Sequence, residues 1–503
     1  MSNNLPHLTK SKYISGLRCL RKLWFDVNDH GPFTDAVPGS AMDIGNRVGE
    51  GAHALFPGGI EIKAKPWEHE TAVTQTKQLM DDGKIPAIFE AAFEYDGTRI
   101  RVDILERLDG KSWGLREVKS SLSAKEASGH FDDVAIQLYV LRGSGVPVSS
   151  VELIHINKEY ARGKSDIDWA ELLFRSNLTD QAEDRLEKIE STLADQRAVI
   201  QWDEPPEIYP SKQLCHKPYE CPYWSDCTAD KPSDWITYLP GIRKVQIDQL
   251  LARGVESIRD IPDDFSLNAT QQVARNVVIT GIPHISEDLG TMLHDLGPPA
   301  YYLDFETVNP MIPLYPKTHP GERIPFQWSV HHLDENKETS HFEYLATAES
   351  DPRRDLAEKL LTVFQNREIP ILAYNASFER GVIQDLADIF PDLAPMLEAL
   401  INRIVDPLPI VRSKTYYPNY KGSFSLKSVA PEISDVDYND LDGVAGGLEA
   451  SAIFWSLAAG VIKDPDEVKR LRLKLLKYCK LDTEALMKVH IKLCNLAVGY
   501  GKT

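Results

Sequence analysis

The sequence predicts an α/β protein with two mixed α/β domains and a small helical connector between them. Its 503 residues are enough for two or three separate cores. An alternating apolar and polar strand at 98–108 and an apolar strand at 300–308 lie in different halves of the chain. We therefore predict a first domain over residues 1–232, a connector over 233–295 and a second domain over 296–503.

The composition is that of a globular protein, with 42% hydrophobic and 26% charged residues. No apolar run approaches the roughly 18 residues that span a bilayer, and the N-terminus lacks the apolar stretch of a signal peptide. We therefore expect a cytoplasmic protein with no membrane partner. The net charge of −19 argues against a protein that coats nucleic acid, because phosphate binding depends on Lys and Arg. It still allows an enzyme that binds phosphates through metal ions.

The first domain contains a predicted hairpin with two acids and a lysine. Its strands read TRIRVDILERL and SWGLREVKSS, and Glu117 and Lys119 share one face of the second strand. A three-residue loop would put Asp103 opposite Glu117 on that face, whereas a two-residue Asp-Gly turn would put the two acids on opposite faces. Two carboxylates beside a lysine suit phosphodiester hydrolysis assisted by Mg²⁺ or Mn²⁺.

Together with the motifs on either side of the hairpin, its acids and lysine make residues 1–232 resemble the RecB-like PD-(D/E)XK nucleases. These nucleases have a restriction-endonuclease-like mixed sheet. The segment Gly49–His53 matches the helix-borne Gly-x-x-x-His of that family, and Gln137 stands where the family has a helical Gln. The family's Tyr four residues later is Leu141 here, with Tyr139 close by. The resemblance implies that the metal is bound by His53, Asp103 and Glu117, and that Lys119 and Gln137 are catalytic.

The first domain ends in three evenly spaced cysteines. Cys215, Cys221 and Cys227 form C-x5-C-x5-C, which is wider than the usual knuckles of structural zinc sites. Cys19 is the candidate for a distant fourth ligand. One cysteine before the nuclease core and three after it resemble the layout of AddB-type nucleases and the nucleases of CRISPR adaptation. That resemblance implies a structural [4Fe–4S] cluster, with zinc as the alternative.

The second domain opens with the apolar strand AYYLDFETV, in which Asp304 and Glu306 point to the same face. Acids inside so apolar a strand are costly unless they bind a cation. Further on, NASFE leads from a strand into a helix, with Asn375 as the expected cap and Glu379 in the first turns. Near the C-terminus, Tyr478 and Asp482 lie at i and i+4 on one helix face.

In the order D-x-E, N-A-S-F-E and Y-x-x-x-D, residues 296–503 resemble the DnaQ-like 3′–5′ exonucleases that use tyrosine, which have an RNase H-like fold. The resemblance implies that Asp304, Glu306 and Asp482 bind two Mg²⁺ or Mn²⁺ ions, and that Tyr478 positions the attacking water. Glu379 stands where most of the family has Asp. Because its carboxylate is shifted by about a bond length, we expect it to act through a water or after a backbone adjustment, with Asp406 in reserve.

Two further segments leave alternatives open. The connector contains a Pro-Gly turn between predicted helices, as in helix-hairpin-helix DNA binders or in a plain linker. Residues 416–432 mix aromatic residues with Lys421 and Lys427, which suits either contacts to a single nucleic-acid strand or an ordinary loop.

Together the two motif sets predict a nuclease with two active sites on DNA, single-stranded or with free ends, in DNA repair, processing or phage defence. A helicase or another repair or defence protein is a candidate partner. The alternatives are an RNA-trimming exonuclease and a non-catalytic iron–sulfur subunit that binds nucleic acid within a larger assembly. The pairing of the two domains resembles an uncharacterised bacterial family.

Overall fold

The computed structural model describes residues 7–29, 37–108, 112–217, 220–364, 366–434, 436, 438 and 446–500. The chain divides into two compact units. The first comprises Met1–Ala229 and Pro310–Glu322, and the second comprises Asp230–Asn309 and Arg323–Thr503. The predicted connector is thus part of the second unit. No helix in the described ranges combines the length and the apolar character needed to cross a bilayer.

A mixed sheet forms the centre of the first unit. Its strands are β1 (Leu8–Thr9), β2 (Ile60–Glu61), β3 (Ala87–Tyr95), β4 (Thr98–Arg107), β5 (Trp113–Lys119), β6 (Val148–Ile156) and β7 (Leu173–Asn177). The strand order is β2-β3-β4-β5-β6-β7, with β1 pairing beside β4. Strand β4 is antiparallel to both β3 and β5, whereas β6 runs parallel to β5. Alternating apolar residues of these strands fill the core.

Helices cover this sheet. They are α1 (Lys10–Arg18), α2 (Leu20–Asn28), α3 (Ala41–Ala52), α4 (His69–Asp81), α5 (His130–Gly143), α6 (Trp169–Leu172), α7 (Thr179–Val199), α8 (Lys212–Cys215) and α9 (Trp224–Thr228). Helix α5 is buried on nearly all sides because it packs against both the sheet and α7.

The connector segment is mostly helical, as predicted. It contains α10 (Lys244–Leu251), α11 (Ala269–Thr280), the short strand β8 (His284–Ile285) and α12 (Leu289–Leu293). The Pro-Gly turn at Gly241 follows a three-residue 3-10 helix (Ile236–Tyr238) and not an α-helix. The described elements therefore differ from two α-helices joined by a Pro-Gly hairpin.

A second mixed sheet forms the centre of the second unit. Its strands are β9 (Ala300–Val308), β10 (Ile324–Leu333), β11 (Thr339–Leu345), β12 (Ile371–Leu372) and β13 (Ile404–Val405), in the order β11-β10-β9-β12-β13. The central strand β9 is antiparallel to β10 and parallel to β12. A separate strand, β14 (Thr415–Tyr416), pairs with β8. Both units are thus mixed α/β, as the sequence predicts.

The remaining helices are α13 (Arg353–Val363), α14 (Ser377–Ile389), α15 (Ala394–Ile401), α16 (Leu408–Lys414), α17 (Leu426–Ser434), α18 (Gly447–Ala458) and α19 (Pro465–Tyr500). Helix α19 packs across β9 and β10 and is fixed to them at three levels. The Gln327 side chain donates to the Leu475 carbonyl at 2.8 Å, Ser329 bonds Thr483 at 2.7 Å, and Tyr302 bonds His490 at 2.9 Å.

Candidate metal centres

The register of the β4–β5 hairpin decides whether Asp103 and Glu117 share a face. The Leu108 N–H donates to the Ser112 carbonyl at 2.9 Å, and the ladder between the strands continues this pairing without a slip. Asp103 therefore falls opposite Glu117, so the three-residue alternative is confirmed. The loop residues 109–111 themselves lie outside the described residues.

Both acids line a cavity of the first unit that is open to solvent. The lining also contains His53 and Lys119, which were predicted for this centre, together with four acids and a lysine that were not predicted. The predicted members are His53, Asp103, Glu117 and Lys119, and the additional ones include Lys10, Glu61, Glu90 and Asp133. We call this group the first centre.

Glu117 is the most heavily bonded side chain of the first centre. It is 1% exposed and accepts hydrogen bonds from Lys119 at 2.6 Å and from Gln137 at 2.7 Å. Lys10 donates to both of its oxygens, at 2.9 and 3.0 Å. Gln137 also donates to the Asp133 carboxylate at 2.9 Å, so it holds two acids together.

The pKa values of the two central acids, Asp103 and Glu117, are shifted in opposite directions. Burial, and then repulsion from Glu117, raises the pKa of Asp103 to about 7, although its carboxylate accepts a bond from the Val118 N–H at 2.7 Å. Burial also opposes the charged form of Glu117. Lys10 and Lys119 outweigh that effect and hold the pKa of Glu117 below its usual range.

His53 lies one residue beyond α3, at the start of a short 3-10 helix, and not on the helix itself. Its ring stacks on Phe89 with 3.8 Å between centroids. Burial lowers the pKa of His53, which keeps the imidazole neutral near pH 7. A neutral imidazole is the form that binds metal ions.

The two glycines just before His53 differ in their surroundings. Gly49 lines the cavity, and a Cβ there would have no neighbour within 4 Å. A Cβ on Gly51 would lie 2.3 Å from the Trp169 ring, so this glycine allows α3 to approach α6. The first glycine keeps the cavity open and the second one permits close packing.

The neighbours of Gln137 on α5 stay outside the first centre. Tyr139 packs edge-on against Tyr95 with 5.4 Å between ring centroids, and Leu141 is buried in the core. The family's tyrosine therefore has no counterpart here. Asp133, one turn before Gln137, joins the centre instead, and the i, i+4 spacing on a helix is the signal that points to it.

Lys10 and Glu90 had no comparable signal in the sequence. Lys10 reaches the centre from α1, 107 residues before Glu117. Glu90 interrupts the pairing of β3 with β4 and has a φ of 57°, which turns its side chain into the cavity. Only the tertiary fold brings either side chain to the acids.

The four predicted cysteines line one small cavity of the first unit, together with Arg18 and Arg21. Cys19 thus lies beside Cys215, Cys221 and Cys227, although it precedes them by almost 200 residues. Burial, and then the neighbouring thiols, raises the pKa of Cys215. The sulfurs are less tightly grouped than the ligand atoms of the second centre, described next.

The second centre joins the central strand to the last helix. One carboxylate oxygen each from Asp304, Glu306 and Asp482 lies within 4.8 Å of the others, which is the tightest such group among the described residues. Asp304 and Glu306 share a face of β9, and α19 brings Asp482 over that face. Strand β9 is the middle strand of its sheet, so these acids do not lie on a solvated edge strand.

The acids of the second centre all resist ionisation. Burial and mutual repulsion raise the pKa of Asp304 well above its usual range and that of Glu306 to about 8. Burial likewise raises the pKa of Asp482 to about 6. Lys427 opposes the rise at Glu306 and Asp482, but does not cancel it. A divalent cation would remove this repulsion.

Glu379 lies near this group on α14 but is not one of the three acids whose oxygens lie within 4.8 Å of one another. It is 3% exposed, and its Oε2 has no hydrogen-bond partner among the described residues. Burial raises the pKa of Glu379 to about 7, and its charge adds to the repulsion on Asp304 and Glu306. That the longer side chain acts through a water stays a prediction.

The start of α14 differs from the prediction. Asn375 has a φ of 64° and makes no side-chain cap; the N-cap residue is Ala376. The Asp406 carboxylate accepts from the Asn375 and Ala376 N–H groups at 3.0 and 3.1 Å, and from the Leu408 N–H at 2.9 Å. The reserve candidate Asp406 therefore holds the backbone beside Glu379.

Tyr478 lies beside Asp482, as its spacing on α19 predicts. The hydroxyls of Tyr478 and Tyr438 both favour the charged form of Asp482. The Lys427 ammonium lies 5.0 Å from the centre of the Tyr478 ring. Tyr438 was not predicted, because its approach depends on the chain between α17 and α18. The Cys479 thiol packs on the other side, 3.5 Å from the Asp304 carboxylate.

The aromatic segment 416–432 contains a cluster of buried aromatic side chains. Tyr416 and Tyr420 are 2% and 1% exposed and pack against each other and Phe424, so they have no free face for a base. Of the two alternatives left open for this segment, stacking on a nucleic-acid strand is therefore excluded for these buried rings. The lysines at 421 and 427 remain exposed.

A family model described as a domain of unknown function, DUF2779, matches residues 301–425. The matched region contains Asp304, Glu306 and Glu379, and it ends before Tyr478 and Asp482. No curated protein matches the chain.

Proposed function

We propose that the chain is a metal-dependent nuclease that hydrolyses phosphodiester bonds of DNA at two separate active sites. The observation that carries this proposal is the close group of Asp304, Glu306 and Asp482, in which Glu306 is buried and the two aspartates are half-buried. Three acids that repel one another at this distance are costly unless a cation joins them. Hard oxygen donors are the ligands that Mg²⁺ and Mn²⁺ prefer.

For the second centre we propose 3′–5′ exonuclease activity. The strand order around β9, with one antiparallel and one parallel neighbour, supports an RNase H-like assignment. Asp304, Glu306 and Asp482 would hold the metal, whose role is to activate water and neutralise charge on the phosphate. Tyr478 would orient the attacking water, and the unpartnered oxygen of Glu379 would hold it from the opposite side.

For the first centre we propose PD-(D/E)XK nuclease activity. Two acids on neighbouring antiparallel strands within a mixed sheet support this assignment. Asp103, Glu117 and the neutral His53 would hold the metal. Lys119 would stabilise charge on the phosphate, and Gln137 would keep Glu117 oriented.

For the cysteine cavity we propose a structural [4Fe–4S] cluster. Zinc bound at about 2.3 Å would draw four sulfurs to within about 3.8 Å of one another. Among the described residues, only the carboxylates of the second centre form a group of ligand atoms within 4.8 Å of one another. The looser set of four cysteines around one cavity fits a larger cluster better. Anaerobic purification should give a brown protein with iron and sulfide. A colourless protein with zinc would contradict the cluster.

A labelled-oligonucleotide assay tests both centres. DNA and RNA strands labelled at either end are incubated with Mg²⁺ or Mn²⁺ and the parent chain, Asp103→Asn, Asp304→Asn or the double variant. We expect Asp304→Asn to lower 3′ trimming at least about a hundredfold, Asp103→Asn to remove the other cleavage, and the double variant to be inactive. Digestion of RNA alone would favour the RNA-trimming alternative.

Two variants serve as matched controls. Glu343→Gln changes an exposed acid of the second sheet, and Asp184→Asn changes an exposed acid of α7. Both should keep parental activity. Cleavage that survives in the Asp103→Asn, Asp304→Asn double variant would refute the assignment of these sites.

A further inference from the structure

Lys10 competes for the same oxygens that the first centre would offer to a metal. Its ammonium bonds both oxygens of Glu117 and lies 3.3 Å from the Asp133 carboxylate. Lys119 bonds Glu117 at 2.6 Å and Asp133 at 2.7 Å. With Gln137 on the second oxygen, each oxygen of Glu117 already has two donors. A cation bound by Glu117 must therefore displace at least one of them.

The helix that carries Lys10 ends at the cysteine cavity. Lys10 is the first of the nine residues of α1, and Cys19 is its C-cap. A helix of nine residues is about 13 Å long. At the cysteine end, the Arg18 side chain donates to the carbonyls of Leu214 and Cys215 at 3.5 and 3.4 Å. One short rigid element thus connects the two sites.

The middle of α1 is also fixed. A Cβ on Gly16 would lie 2.5 Å from the Gln196 side chain, so α1 and α7 are in close contact there. The Gln196 amide donates to the Tyr13 carbonyl at 3.0 Å. We expect this contact to act as a pivot of the rigid helix, so that a displacement of α1 at the cysteine end moves Lys10 at the other end.

We propose that Lys10 is a positioning residue of the first centre, which holds Glu117 and competes with the divalent cation for it, and that α1 couples this competition to the four-cysteine cavity. The inference rests on the proposed metal-binding function of the first centre. Lys10 belongs to neither sequence motif, and the motifs alone give no link between the first centre and the four-cysteine cavity.

The first test measures Mn²⁺ binding by titration calorimetry in the full chain, with Asp304→Asn and Glu306→Gln silencing the second centre. We expect Lys10→Met to tighten Mn²⁺ binding about tenfold, because a positive charge beside Glu117 is removed. Cleavage by the first centre should fall in the same variant, because Glu117 loses a support. A residue with a merely structural role would weaken both.

Companion variants keep this test decisive. Lys10→Arg retains the charge and should bind Mn²⁺ as the parent does. Lys12→Met removes the same charge from α1 two residues further on and should change nothing. Lys10→Gln keeps a hydrogen-bond donor without the charge, so it should show the tightening even if Lys10→Met fails to fold. Unchanged or weaker Mn²⁺ binding in Lys10→Gln would overturn the proposal.

The second test is a double-mutant cycle between the two ends of α1. Cys19→Ser should tighten Mn²⁺ binding in the parent, because α1 loosens and Lys10 holds Glu117 less firmly. In the Lys10→Met background it should have no effect. Equal effects in both backgrounds would refute the coupling. If the parent itself binds no Mn²⁺ at the first centre, the proposed function of that centre fails, and this outcome is distinct from the others.

Discussion

At Asp304, the feature that would bind a metal ion also lowers the stability of the metal-free protein. Its carboxylate is buried beside two other acids, and all three resist ionisation. Such a group destabilises the metal-free fold and favours the binding of a cation. Function and stability should therefore respond in opposite directions when one acid is neutralised.

We expect Asp304→Asn to raise the melting temperature of the metal-free protein at pH 8 by a few degrees, because one buried repulsion disappears. The same variant should lose most of the stabilisation that Mn²⁺ gives the parent. Thermal unfolding with and without Mn²⁺ measures both effects. Glu343→Gln, on an exposed position, should behave as the parent; a lower melting temperature for metal-free Asp304→Asn would contradict the interpretation.

The two glycines before His53 give a second prediction. Gly49→Ala should leave the fold intact or stabilise α3 by up to about 1 kcal/mol, because its Cβ meets open space. Gly51→Ala should destabilise the protein, because its Cβ would collide with Trp169. Urea unfolding compares the two variants. Equal stability changes would show that the close contact of α3 with α6 is not required.

A larger side chain at Gly49 tests whether the substrate occupies the cavity of the first centre. Gly49→Leu should lower cleavage by the first centre while Mn²⁺ binding stays close to that of the parent, since the added side chain enters the cavity that the phosphate would occupy. An undiminished cleavage rate would place the substrate elsewhere.

The start of helix α14 is held by the carboxylate of Asp406, which directly follows strand β13. Asp406 accepts from three backbone N–H groups and so fixes the turn that leads to Glu379. We expect Asp406→Ala to cost about 1–2 kcal/mol in the free energy of unfolding and to slow 3′ trimming, because Glu379 shifts.

Asp388→Ala is the matched control for this element. Asp388 is an exposed acid further along α14, and its loss should change stability by less than about 0.5 kcal/mol. If Asp406→Ala trims at the parental rate despite the lost stability, the position of Glu379 does not depend on this cap.

Periodicity and motif order predicted the β4–β5 hairpin, strand β9, the helix that carries Tyr478 and Asp482, and the motif residues that gather in each centre. Residue alternation narrowed the hairpin to two registers, but only the fold decides between them, since both loops suit the sequence. Lys10, Glu90 and Tyr438 were missed because long-range packing brings them to the acids. The role of segment 416–432 stayed open because a sequence does not reveal which aromatic residues of a loop, here Tyr416 and Tyr420, are buried.

For the molecule as a whole, the raised pKa values imply a stability that depends on pH. Glu306 and Asp482, with pKa values of about 8 and 6, bind more protons when folded than when unfolded, where such groups titrate near 4. Their contribution is therefore fully present below about pH 4 and is lost as the pH rises through 6 to 8.

We expect the melting temperature of the metal-free protein to fall between pH 6 and pH 8, and saturating Mg²⁺ or Mn²⁺ to reduce that fall. Metal binding should also tighten over the same range, because protons compete with the cation for the carboxylates. A combined Glu306→Gln, Asp482→Asn variant should show a flatter profile. A metal-free parent that becomes more stable from pH 6 to pH 8 would contradict this prediction.

The three attachments of α19 to β9 and β10 restrict how this region can evolve. Each inserted or deleted residue turns the rest of an α-helix by about 100°. A length change between Leu475 and His490 would therefore place either Asp482 or one of the attachments on the wrong side. Among relatives that keep the acids, this stretch should differ by substitution only, without insertions or deletions, and an aligned active relative with a gap there would disprove it.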